Sequence, residues 1–329
     1  MYAIFAKNLK KTFSVALNDK KSWLQKIKNY LCPQKQALLA VDGINLAIKK
    51  GERVAFIGPN GAGKSTTIKL LTGILHPTEG IIEILGKDPL KDKHLLNYEI
   101  SAVFGHTSKL WYHLPILESY SLLAAIYDIP EANFQKRLAD LSEWFGISPF
   151  LNKSVSQLSL GEKMKCEIVA SLLHRPKILF LDEPTIGLDM IAKTMIRELL
   201  RTISENEDMT LLLTSHDTDD VESVCDRVLV IDHGKLVLDD NISHLKNHFA
   251  KKKTIHLTLE EENLLFSHKG VKILENFPYF LKIEVDLAIT SLKEVLDSLV
   301  EKFTIKDLTI EHPSLESILR IIYAKQIPS

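Results

Sequence analysis

Residues 58–65 read Gly58-Pro59-Asn60-Gly61-Ala62-Gly63-Lys64-Ser65, and this G-x-x-x-x-G-K-[ST] spacing narrows the possible folds more than any other stretch of the chain. Gly58, Gly61 and Gly63 accept backbone angles without a Cβ penalty, so several N–H groups can turn inward around a polyphosphate. Lys64 brings a point charge to the β- and γ-phosphates, and the Ser65 hydroxyl is placed to ligate a divalent cation. The run Arg53-Val54-Ala55-Phe56-Ile57 before the loop predicts a buried strand. Residues 66–71 after it predict a helix whose N-terminus faces the anion. Strand, glycine turn and helix together are the context this motif requires.

A second apolar run, Lys177-Ile178-Leu179-Phe180-Leu181-Asp182-Glu183, ends in two carboxylates. Such a run suits a central parallel strand buried on both faces. Neighbouring side chains at a strand end point opposite ways, so Asp182 and Glu183 can take separate tasks. Asp182 is the candidate to hold Mg²⁺, through water, and Glu183 to polarise an attacking water.

Between the two lies Leu158-Ser159-Leu160-Gly161-Glu162, followed by a helical pattern through Met164, Ile168, Val169, Leu172 and Leu173. This segment resembles the L-S-G-G-Q signature of the ATP-binding cassette family. Ile186-Gly187-Leu188-Asp189 is similar to that family's D-loop, and Thr214-Ser215-His216-Asp217 to its switch-histidine segment. The motifs keep the family's order from the start of the chain to about residue 240. The resemblance implies an α/β P-loop NTPase cassette with a mixed sheet core and a helical subdomain.

It also implies ATP and Mg²⁺ as ligands. ATP would sit on residues Gly58, Pro59, Asn60, Gly61, Ala62, Gly63, Lys64 and Ser65, with Thr66 near the α-phosphate and His216 at the γ-phosphate. Ser65 and Asp182 would hold the metal. Lys64, Asp182, Glu183 and His216 form the implied catalytic set. Cassettes of the family pair head to tail, so Ser159, Gly161 and Glu162 of one chain would close over ATP held by a second copy or a homologous cassette, with the D-loop residue Asp189 beside them. A helix N-terminus aimed at the triphosphate adds dipole and N–H donors.

Two departures stand out. The segment Ala102-Val103-Phe104-Gly105-His106-Thr107-Ser108-Lys109 matches the region where the family carries a glutamine, and His106 occupies that place. Mg²⁺ prefers oxygen to imidazole. A water-mediated or γ-phosphate contact by His106 and a merely tolerated neutral substitute both remain open. If the contact is made, coupling or rate varies near the histidine pKa, and a flat ATPase profile from mildly acidic to mildly alkaline pH would refute it. The second departure, Leu160 and Glu162 within the signature, spares Ser159 and Gly161, the residues expected at phosphate.

Composition is consistent with an intracellular enzyme. A chain of 329 residues can bury two cores, and a formal charge of −1 creates no global field favouring nucleic acid. The three cysteines are widely separated, which argues for reduced thiols, and no C-x-x-C pair offers a zinc site. His244 and His248 have the i, i+4 spacing of a helical metal pair but no evident third ligand, and read as surface histidines. No apolar core of the kind a signal peptide needs stands near the N-terminus. No run of about 18 apolar residues spans a bilayer, so a transport role requires a separate integral membrane permease subunit. The expected location is cytoplasmic, peripheral on the inner face of the cell membrane. A soluble cassette ATPase acting on ribosomes or nucleic acid is the alternative, although such members of the family usually carry paired cassettes, a coiled coil or a zinc module.

Along the chain, residues 1–17 predict a first strand, with Phe13 where the family often has an aromatic that stacks on adenine. Residues 18–36 form a basic amphipathic insertion. Lys20, Lys21, Lys26, Lys28 and Lys35 face Asp19 alone, and Trp23, Leu24, Ile27, Tyr30 and Leu31 recur at helical spacing. It packs on its own domain, or docks a membrane surface or partner. Residues 107–157 predict the helical subdomain, which in the family receives the membrane subunit. Trp111, Tyr112 and His113 are candidates for that docking surface or for its core. A cassette over 1–245 is followed by a small α+β accessory domain over 246–329, signalled by the alternation of Thr254-Ile255-His256-Leu257-Thr258-Leu259. Regulation and dimer support are its candidate roles.

Overall fold

The computed structural model describes residues 2–16, 35–105, 107–249, 252–260, 266–311 and 314–324. Most of the basic insertion, together with His106 and Cys32, lies outside them. The chain divides into two compact units, 1–239 and 240–329.

The first unit contains β1 (Tyr2–Ala16), β2 (Lys35–Lys49), β3 (Arg53–Ile57), β4 (Glu79–Ile84), β5 (Ile100–Phe104), β6 (Ile178–Asp182), β7 (Thr210–Ser215) and β8 (Arg227–Asp232), and β9 (Lys235–Asn241) runs across its end. Six of these form one sheet in the order β5-β6-β7-β3-β8-β9, with parallel pairing from β5 through β8. Every residue of β6 and β7 is buried, which is why these strands read as unbroken apolar runs rather than alternations. A second, antiparallel sheet has the order β2-β1-β4. Ile4, Leu9, Ile44, Ile48 and Ile84 of that sheet share a core with Phe56, Phe180 and Leu229 of the first, and Ile68 and Leu71 of helix Lys64–Leu71 complete it. Deleting one such side chain to alanine costs about 2–5 kcal/mol, so this packing fixes β3 and β6 firmly beneath the loops they carry.

Parallel register aligns the strand ends. Phe104 is opposite Asp182, Asp182 opposite Thr214, and Ile57 opposite Ser215. The loops after β3, β5, β6 and β7 therefore emerge at one edge of the sheet, where open α/β folds bind ligands. Helices Ile116–Ile126 and Glu131–Phe145 make up the helical region. Trp111 and Tyr112 before them are 41% and 58% exposed, so neither fills a core.

The second unit has β10 (Lys252–Leu259), β11 (Val271–Phe277), β12 (Phe280–Asp286) and β13 (Ile305–Glu311), antiparallel in the order β11-β12-β10-β13. Strand alternation puts Ile255, Leu257, Leu281, Ile283 and Val285 on one face, against Val295 and Leu299 of helix Leu292–Lys302. Ser291 and Glu294 close a capping box at the start of that helix. Helices Ile242–Phe249 and Leu315–Ala324 pack on one another. His244 is an exposed histidine beside Asp240, Nδ1 to Oδ2 2.9 Å, and the described residues hold no group of three or more metal-ligating side chains.

Candidate nucleotide and metal site

The loop after β3 is a cradle that only glycine can line. A Cβ on Gly58 would stand 2.3 Å from the Ile231 carbonyl oxygen, and one on Gly63 2.4 Å from that of Ala40. Gly63 also has φ 106° and Gly61 φ 82°, the left-handed region that side chains avoid. The chain then enters helix Lys64–Leu71, whose first N–H groups face the loop. The resulting cleft, of about 790 Å³, is lined by residues 58–66 together with Phe13, Leu38, Ala40, Glu183, Ile186 and His216. Side chains from three strand ends and from β1 thus meet at one place. Lys11 Nζ stands 5.2 Å from the centre of the Phe13 ring.

Lys64 is 6% exposed and folds its ammonium back onto the carbonyl oxygens of Gly58 (2.7 Å) and Pro59 (3.2 Å). Burial pushes its pKa below the ordinary lysine value, while the charges of Glu183 and Asp182 oppose that fall. Its Nζ lies 4.0 Å from Glu183 Oε1. Ser65 Oγ donates to Asp182 Oδ1 at 3.0 Å. One hydroxyl and one carboxylate are hard oxygen donors, a set that fits Mg²⁺ if phosphate and water complete the shell.

Glu183 follows β6 with φ 55°, a conformation that costs a residue with a side chain about 1–2 kcal/mol. Its N–H is held by the Thr214 carbonyl and hydroxyl oxygens, both at 3.1 Å. The Thr214 hydroxyl in turn donates to Asp182 Oδ1 at 2.6 Å. Thr214 therefore holds the Asp182 carboxylate and the Glu183 backbone, a role its motif did not reveal and only the β6–β7 register shows. His216 Nδ1 lies 2.7 Å from Glu183 Oε2. Gly105 approaches the same strand end, its N–H donating to the Asp182 carbonyl at 3.0 Å. His106, the next residue, is outside the described residues.

Ser159, Gly161, Glu162 and Asp189 do not line this cleft. They sit instead at two helix starts. Ser159 caps helix Leu160–Leu172, accepting from the Glu162 N–H at 3.3 Å while Glu162 Oε2 accepts from the Ser159 N–H at 2.8 Å. That reciprocal bond gives the glutamate at the signature's last position a local reason, and it holds the Glu162 carboxyl below its ordinary pKa. Asp189 caps helix Met190–Asn206 by accepting from Ala192 N–H at 2.8 Å. The two helix starts touch: a Cβ on Gly161 would lie 3.0 Å from Ala192 Cβ. Leu160, Met190 and Ile191 beside them are 51%, 82% and 76% exposed.

Sequence reasoning also missed Asp220. Only 1% exposed, it accepts from the Ser215 hydroxyl (2.7 Å), the Thr185 hydroxyl and Arg197 Nε (2.6 Å). It ties the segment after Glu183 to the segment before His216. Nothing in its spacing could have signalled this, because its partners are gathered by β7 and helix Met190–Asn206.

Residues 41–186 match the family model described as ABC transporter. The chain is 32% identical over 204 residues to the ABC transporter ATP-binding protein NatA of Bacillus subtilis, covering 62% of this chain and 82% of that protein. It is 33% identical over 236 residues to the bacitracin transport ATP-binding protein BcrA of Bacillus licheniformis, covering 72% and 74%. Among solved structures, an ATP-binding cassette seen as a dimer in a post-hydrolysis state with ADP and phosphate superimposes with a TM-score of 0.60 at 25% identity, over 73% of this chain and 98% of that one.

Proposed function

The chain belongs to the ATP-binding subunits of ABC transporters, and from that premise we propose that it hydrolyses ATP as one half of a cassette dimer that drives a separate membrane permease, in the direction of export. The observation that carries the reading is the convergence of Lys64, Ser65, Glu183 and His216 on one glycine-lined cleft, with Asp182 hydrogen-bonded to Ser65 behind it. Bound Mg²⁺, held by Ser65 and Asp182, would neutralise phosphate charge. The chain's own residues do the rest. Loop N–H groups and Lys64 bind the phosphates. Glu183 takes the proton of the attacking water, and His216 orients that carboxylate through its 2.7 Å contact. The outward-facing Leu160, Met190 and Ile191 around the Ser159 cap favour a second cassette as their cover, a copy of this chain or a homologue.

The location that follows is the inner face of the cell membrane, reached through the permease. Among the described residues no helix is long and apolar enough to cross a bilayer itself. The name of one relative, from Bacillus licheniformis, mentions bacitracin transport, and a drug-like cargo is the substrate class it favours.

The deciding experiment is a pull-down of tagged Glu183→Gln chain from detergent-solubilised native membranes with ATP and Mg²⁺. A stoichiometric multi-span protein is the expected companion; ribosomes or nucleic acid alone would discard the transport role and keep the ATPase. Adenine stacking on Phe13 is testable separately. Base–aromatic stacking is worth about 1–3 kcal/mol, so Phe13→Ala should weaken ATP binding roughly 5- to 150-fold by calorimetry. An unchanged Kd would remove Phe13 from the site.

A further inference from the structure

His216 has to present its ring to Glu183, yet packing does little to keep it there. Its side chain is 57% exposed, whereas every residue of β7 before it is buried. The ring's hydrogen bond is the one to Glu183 Oε2 at 2.7 Å. An exposed ring on a short connection is placed by its backbone. Whatever fixes residues 215 and 217 therefore fixes His216.

Those neighbours are tied to each other first. The Asp217 N–H donates to Ser215 Oγ at 3.0 Å, and the Ser215 hydroxyl donates to Asp220 Oδ2 at 2.7 Å. Asp217 Oδ1 accepts from the Asp219 N–H at 3.0 Å and caps helix Thr218–Val224. Contacts confined to residues 215–220 give that segment a shape but not a place. The anchor comes from helix Met190–Asn206. Arg197 donates from Nε to Asp220 Oδ1 at 2.6 Å and from Nη2 to Asp217 Oδ2 at 3.1 Å, so one planar guanidinium grips both carboxylates. Lys193, one turn earlier, adds a second cation on Asp217 Oδ2 at 2.7 Å. Burial pulls the Asp217 carboxyl up, but the Lys193 hydrogen bond, the Asp219 N–H and the two cations hold it below the ordinary aspartate value. The Arg197 side chain is 11% exposed and that of Asp220 1%, so water screens the pair poorly. Through the Thr185 hydroxyl, Asp220 also reaches the segment that leaves Glu183. A closed circuit runs from Glu183 through Thr185, Asp220, Arg197 and Asp217 to His216 and back.

We propose that Arg197 is a positioning residue for ATP hydrolysis, which holds His216 against Glu183 by gripping Asp217 and Asp220. The assignment rests on the ATPase reading above. Arg197 does not line the phosphate cleft and touches none of the groups that would meet nucleotide, so it acts only through the histidine. Without the fork, residues 215–220 lose their tie to the long helix and the ring leaves its place. A misplacement of about 1 Å can cost about 10²-fold in rate. Nucleotide affinity, carried by the loop N–H groups and Lys64, stays.

The test compares kcat and the Kd for ATP in the full chain, co-purified from native membranes, as wild type, Arg197→Met, His216→Ala and the double variant. Arg197→Met should lower kcat about 10- to 100-fold and leave Kd within about threefold of wild type. On the His216→Ala background there is no ring to place, and the same substitution should lower kcat by less than about twofold, because effects that pass through one group do not add. A loss that repeats in full on that background marks a merely structural arginine and overturns the proposal. Wild-type kcat in Arg197→Met overturns it as well. Should Arg197→Met fail to fold, Arg197→Lys takes its place, since it keeps the cation but not the fork. A fall in kcat of at least about threefold at unchanged Tm, absent on the His216→Ala background, is then expected; no fall, or the same fall on both backgrounds, overturns the proposal. Turnover insensitive to Arg197 leaves the ATPase reading standing. If the wild-type chain turns over no ATP, both fall.

Discussion

Replacing Glu183 by Gln should lower ATP turnover by about 10²- to 10⁴-fold, the usual loss when a general base is removed, and should accumulate an ATP-bound dimer. The substitution keeps the shape of the side chain. The Thr214 oxygens that hold the Glu183 N–H at 3.1 Å remain, so the strained φ of 55° survives. What disappears is the ability of the terminal oxygen, 2.7 Å from His216 Nδ1, to accept a proton. Binding and chemistry therefore separate. Phosphate release and light scattering on the same sample read the two: slow release with a doubled mass on adding ATP and Mg²⁺ is the expected pair. Wild-type turnover by the Gln variant would show that another group serves as base.

Lys64→Met should act on binding rather than on chemistry. The ammonium is already in the cleft, 6% exposed and resting on the carbonyl oxygens of Gly58 and Pro59. It lies 4.0 Å from Glu183 Oε1 as well. Phosphate oxygens entering the cradle meet a desolvated cation whose charge water screens poorly. Removing one partner of such a contact costs about 2–5 kcal/mol, a rise in Kd of roughly 30-fold to several thousand-fold. Calorimetric titration with ATP checks it. A Kd within a few-fold of wild type would mean that the loop N–H groups alone carry the affinity.

Much of the site could be read from the chain because its parts are contiguous. A phosphate cradle needs glycines two and three residues apart followed by lysine and serine, and a catalytic strand end needs an apolar run closed by carboxylates. Both constraints act over eight residues or fewer, so spacing alone expresses them. The signature was legible for the same reason, since Ser159 and Glu162 satisfy each other across one helical turn. Thr214 was visible as part of a motif, but its hydroxyl on Asp182 was not. That contact spans 32 residues and exists because β6 and β7 are parallel neighbours in a particular register. Asp220 and Arg197 are further cases, and so is Lys109, whose residue type reads as an ordinary surface charge until the fold puts Ser101 and Ser171 around its amine.

The sequence by itself determined the phosphate loop, the two strand-end carboxylates, the family and the change of period that opens the second unit. Each follows from local backbone chemistry or from a burial pattern a few residues long. Tertiary structure alone decided which polar groups lose water together. It brought Phe13, Lys64, Glu183 and His216 to one cleft and left the signature caps out of it. It also held the Lys109 ammonium apart from any carboxylate that could pair with it among the described residues. Desolvation and cross-strand register depend on neighbours far away in the chain, and no window of residues contains them.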